Sequence, residues 1–129
     1  MQTIQQKRAK FALKKITDAC NDSKVNKKEF NSHAAGLPAM IHMNGLGQAA
    51  AFYKAKGKEH GRLYDLLSEW LTQPGQPYGN KSEGKDNKDD PYTDLLQGIT
   101  QENMHRYRLA QAEAQALMDW VKKFSYLLG

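Results

Sequence analysis

One cysteine, Cys20, is all the chain carries, so no disulfide framework forms within it and a stapled secreted scaffold is excluded. Long apolar runs are missing as well. The longest, Ala49 to Tyr53, is bracketed by Gln48 and Lys54, far short of the ~20 residues that a membrane-spanning helix needs. The opening MQTIQQKRAKFALKK lacks the apolar core of a secretory signal, and the expected location is the cytoplasm. β-Branched residues are few and strict alternation is absent, which argues against sheet. No G-x-S-x-G is present, and His33, His42, His60 and His105 have no ligand at metal-binding spacing. His33, His60 and His105 read as surface residues and Cys20 as a buried, inert thiol. Asp89–Asp90 and Glu113/Asp119 suggest acid–base pairs only superficially; a loop cap and solvated helix positions explain them better. The sequence therefore calls for no enzyme, no cofactor and no metal.

What is present is helix-forming. The 129 residues are 40% hydrophobic and 26% charged, enough for one domain, 1–129, with a single core. Thr3 is a plausible N-cap for a helix running to Cys20. On its wheel Ala9, Ala12, Leu13, Ile16, Ala19 and Cys20 share a face, with Lys7, Lys10 and Lys14 opposite. Phe11 and Ile4 lie off that face, which suits a helix sandwiched in a bundle. A second helix is expected over 26–43, with a kink or break near Gly36–Leu37 caused by Pro38. A third spans 46–56, and a fourth, GRLYDLLSEWL, aligns Leu63, Leu66, Leu67, Trp70 and Leu71. Residues 73–90 are rich in Gly, Pro, Asn, Asp and Lys with almost nothing to bury, so a flexible loop is expected there. A short helix should resume at Pro91 behind Asp90 as cap. The last helix, from about Thr100 or Gln101 to Leu127, carries a heptad seam of Tyr107, Ala110, Ala114, Leu117, Val121, Phe124 and Leu128. Trp120 and Leu127 fall outside the seam. The fold class is all-α: one compact bundle of about six helices with one long polar loop.

Charge is uneven. Residues 1–64 hold 12 Lys/Arg against 4 Asp/Glu, whereas 65–129 hold 7 against 10. A basic half suggests a polyanion-facing flank; lysines that merely solvate helices are the alternative. The candidates are Lys7, Arg8, Lys10, Lys14 and Lys15 on the first helix, then Lys54, Lys56, Lys58 and Arg62 in YKAKGKEHGR, with Tyr53 and Tyr64 near by. Arg106, Arg108, Lys122 and Lys123 add cations on the last helix. Point charges along a groove bind phosphate backbones, and aromatics help when the strand is single. No helix-turn-helix, zinc-finger or RRM signature offers base readout. The segment NGLGQAAAFYKAKG fits neither a P-loop nor a dinucleotide fingerprint, because no strand precedes its glycines. It reads as a joint in which Asn44 or Gly45 ends one helix with positive φ and Gly47 permits close approach.

QKRAKFALKKI, LPAMIHMNGLGQAAAFYKAKG, LYDLLSEWL and YRLAQAEAQALMDWVKKFSYLL occur in that order, and together they resemble the small subunit of the Cmr complex, the type III-B CRISPR–Cas effector. The resemblance covers nearly the whole chain except Gln73 to Asp90, to which it assigns no role. It implies a non-catalytic, all-helical antiviral-defence subunit that stacks with further copies of itself, supports the backbone subunits and lines the guide RNA–target RNA path. The nine basic candidates on the first helix and in YKAKGKEHGR then become candidate RNA contacts, and Phe11, Trp120 and Leu127 candidate partner contacts. A helical regulatory protein binding double-stranded DNA is the other reading, and it lacks a visible recognition helix.

Overall fold

Thr3 accepts a hydrogen bond from the Gln6 N–H at 3.1 Å and its own N–H donates to the Gln6 side chain at 2.8 Å. This reciprocal capping box starts α1, Ile4–Asn21, at the expected residue. In the computed structural model, which describes residues 2–82, 84–85 and 87–128, five further helices follow. They are α2 (Lys27–Asn44), α3 (Leu46–Lys56), α4 (Lys58–Leu71), α5 (Leu95–Gln101) and α6 (Met104–Leu128). No strand occurs among the described residues; the fold is all-α.

Helix α6 is the spine, with α1 and α2 packed along it, while α3 and α4 pair with each other and α5 lies against both. The expected seam holds at its centre: Ala110, Ala114, Leu117 and Val121 are buried. Met118 and Ser125 join them, and Leu128 at the seam's end is open instead. On α1, Ala12, Ile16 and Ala19 enter the core, but Leu13 stays 44% exposed. The cause is the neighbour on the other flank. Phe11 packs on Trp70 of α4 with ring centroids 4.9 Å apart, so α1 is held between α6 and α4 and Leu13 turns outward.

Three boundaries depart from the sequence reading. Helix α2 runs unbroken through Pro38, because buried Ala34, Leu37 and Ile41 on either side of it are fixed in the core. The helix expected at Pro91 begins only at Leu95, capped by Asp94, whose side chain accepts from the Gln97 N–H at 3.1 Å. Residues before it are drawn out of helix by Tyr92, which is buried and donates its hydroxyl to Glu102 at 2.8 Å. Glu102 also accepts from the Ser82 N–H at 2.8 Å and so separates α5 from α6, which starts at Met104 rather than Thr100 or Gln101.

The polar 73–90 stretch does have something to bury. Tyr78 is fully enclosed, and its ring sits so close to Gly98 that a β-carbon there would lie 2.6 Å from it. Its N–H donates to Leu71 O at 3.0 Å and its carbonyl accepts from the Tyr92 N–H at 3.2 Å. Glu83 and Asp86 of this stretch lie outside the described residues.

Candidate nucleic-acid interface

Tertiary packing divides the nine basic candidates into two groups. Arg8 donates from Nε and Nη2 to Glu113 at 2.5 and 2.9 Å, and Trp70 Nε1 donates to the same carboxylate at 3.0 Å. Burial alone would raise the Glu113 carboxyl; Arg8 and Trp70 more than offset that and hold it below the usual carboxylate range. Glu113 is thus a link between α1, α4 and α6, not the solvated position expected. Lys15 pairs with Glu69, Lys54 with Asp94 at 2.9 Å and Arg62 with Asp22 at 2.8 Å. These four cations face carboxylates of their own chain.

Lys7, Lys10, Lys56 and Lys58 are exposed and form no ion pair among the described residues. Lys14 contributes with them, since its i,i+4 contact to Asp18 is 3.4 Å long and open to solvent, where such pairs are weak. Lys7, Lys10 and Lys14 border a groove of about 490 Å³ between α1 and the turn at Gln73–Gln76, with Ile4, Phe11 and Trp70 beneath. Lys56 and Lys58 flank Gly57 at the α3–α4 joint. The α1–α2 turn adds Lys24 and the first turn of α2 adds Lys27 and Lys28, all exposed. The cluster KVNKK in the sequence is the signal for them, and the candidates named from the sequence do not include it.

Most aromatic residues near these cations do not offer stacking platforms; the exception is Phe52, 43% exposed with Lys56 Nζ 5.3 Å from its centroid. Tyr53 is buried, its hydroxyl donates to His33 O at 2.8 Å, and burial pushes that hydroxyl up to about 12. Tyr64 is buried too, donating to Asp94 at 2.9 Å and accepting from the Leu96 N–H at 3.1 Å. Phe11 is covered by Trp70, with Lys15 Nζ 5.5 Å from its centroid. Apart from Phe52, an anion approaching these lysines meets ammonium groups without open rings. On α6, Arg106 is taken up by Pro77 O and Asn80 O and fastens the 73–90 stretch, whereas Arg108, Lys122 and Lys123 are exposed.

Of the candidate partner contacts, Phe11 is half-buried inside the bundle. Trp120 is half-buried as well, stacked on Phe124 at 5.6 Å and donating to Gln5 at 3.0 Å. Leu127 is 76% exposed and adjoins equally exposed Tyr126. Cys20 is half-buried rather than enclosed. His33 and His60, expected as separate surface residues, are stacked on each other at 3.5 Å. Among the described residues no group of three His, Cys, Asp or Glu is placed to hold a metal ion, and no helix is long and apolar enough to cross a membrane.

The described residues thus form a six-helix bundle with exposed lysines on α1 and at the α3–α4 joint and exposed apolar side chains at the end of α6. The model of the family "CRISPR-associated protein (Cas_Cmr5)" matches residues 4–127, and the chain belongs to that family, the small subunit of the type III-B CRISPR–Cas effector. A crystal structure of a CRISPR-associated Cmr5 family protein from Thermus thermophilus shares the fold, with a TM-score of 0.76 over 98% of each chain at 24% identity.

Proposed function

We propose that the protein is a non-catalytic structural subunit of the type III-B effector. In this reading it touches the backbone of the guide RNA–target RNA through phosphates alone and meets the backbone subunits and further copies of itself through its exposed apolar positions. The observation that carries the reading is the division of the cations. Lys7, Lys10, Lys14, Lys56 and Lys58 reach solvent without a strong internal partner, while Arg8, Lys15, Lys54 and Arg62 hold the bundle together. The buried rings of Tyr53 and Tyr64 favour contact through phosphates over base stacking, which needs an open ring. Leu127 and Tyr126 support partner contact at the end of α6. The cytoplasm is the compartment this role requires.

Binding of single-stranded RNA measured against salt tests the proposal. Each phosphate contact adds roughly 0.7 to the slope of log affinity against log salt. Lys7→Ala/Lys10→Ala/Lys14→Ala is expected to lower that slope by about 2, whereas Arg8→Ala should lower stability with little change in slope. Salt-independent binding overturns the reading. Preference for duplex DNA in direct competition favours a DNA-binding regulator instead.

A further inference from the structure

We propose that the stacked imidazoles of His33 and His60 form an acid-sensitive latch that fastens the α3–α4 joint to α2. The rings lie 3.5 Å apart at an interplanar angle of 27°. Tyr53 meets His60 edge-on at 4.8 Å and Phe52 meets it at 6.0 Å, so the second ring is wedged among aromatic neighbours. The Tyr53 hydroxyl also holds the His33 carbonyl. The pair thus joins α2 to both helices that flank Gly57.

The surrounding charges balance one proton but not two. From α2, Glu29 reaches His33 Nε2 at 3.2 Å and compensates an imidazolium there. From α4, Glu59 is already accepting from the Asn26 N–H at 3.3 Å. From α3, Lys56 adds positive charge on the His60 side. A second proton on His60 therefore faces a charged ring across the stack and a lysine behind it. Burial, then His33 and Lys56, push His60 below the ordinary imidazole range, against the weaker pull of Glu29 and Glu59.

Protonating both rings turns attraction into repulsion, and the joint has room to yield. Gly57 has φ +67° with nothing within 4 Å of a β-carbon placed there, and Lys58 is held at φ +50°, a region that costs a non-glycine residue free energy. The sign follows from linkage. His60 is harder to protonate folded than unfolded, so its contribution to stability is complete above the ordinary imidazole range and is lost as pH falls. The latch rests on the ring stack, its flanking charges and the open joint, and it stands apart from the RNA reading, although opening it also shifts Lys56 and Lys58.

Proton NMR of the intact chain tests the latch through its four histidine rings and the joint amides. The expected result is a His60 midpoint below the ordinary imidazole range, moving up in His33→Gln. Amides of residues 56–60 should shift with the same midpoint. A His60 midpoint within or above the ordinary imidazole range overturns the proposal. So does a midpoint unmoved by His33→Gln, or joint amides that stay still through it. In urea unfolding, His60→Gln should lose less stability than the parent between neutral and mildly acidic pH; an equal loss also overturns the latch.

Discussion

The α2–α3 and α3–α4 turns each pivot on a glycine held where other residues rarely go, Gly45 at φ 86° and ψ 159° and Gly57 at φ 67° and ψ −164°. Around Gly45 the chain is sealed by α6. Gln111 accepts from the Leu46 N–H and Tyr107 from the Gly47 N–H, both at 2.9 Å. Two of the donors that every helix start leaves free are met by side chains 65 and 60 residues away. Around Gly57 no side chain caps α4, and the flanking lysines point to water. The same local device thus builds scaffold where α6 covers it and an accessible, cationic corner where nothing does.

Substitutions at the two turns should separate these roles. Backbone strain of this kind costs ~1–3 kcal/mol. Gly45→Ala should fall at the upper end, because its β-carbon also meets the Tyr107 hydroxyl at 3.3 Å. Gly57→Ala should fall at the lower end, since its surroundings are empty; equal losses in urea unfolding break the contrast. Tyr107→Phe removes the partner of a part-buried N–H and should cost about 1–2 kcal/mol, with no counterpart at the open joint.

A smaller effect concerns the loop anchor. Burial would raise Glu102, but hydrogen bonds from Ser82, Tyr92 and Asn103 hold it down to about 2. Its stabilising contribution is present above the ordinary carboxylate range and lost as pH falls toward that value. Glu102→Gln should flatten the acid limb of the stability profile below about pH 4.5. The smallest change is Asp18→Asn, which breaks an exposed i,i+4 pair. It should shift stability by less than about 0.5 kcal/mol and leave Lys14 freer for an anion.

Much of the fold was legible because it is local. The Thr3 cap, the glycine at the α2–α3 joint, the span of α3 and the Ala110–Val121 seam depend on neighbours within a turn or two. The Pro91 start and the Pro38 break were misread because distant packing overruled local preference: Tyr92 is recruited by Glu102, and α2 is held straight onto the core. The candidate interface was half legible. Lys7, Lys10 and Lys14 share a helix face by spacing alone, but nothing near Arg8 in sequence announces Glu113.

Most helix spans, the unequal charge of the two halves and, through the order of the motifs, the family are legible along the chain alone. Periodicity, capping and composition act over a few residues or over the whole count, and neither needs a fold. Three-dimensional packing settles which cations are spent inside and which face solvent. It also brought His33 against His60 and drew Tyr78 out of a polar loop into the core. Those outcomes depend on which surfaces meet across tens of residues, where burial makes an unpaired charge or an uncovered ring costly.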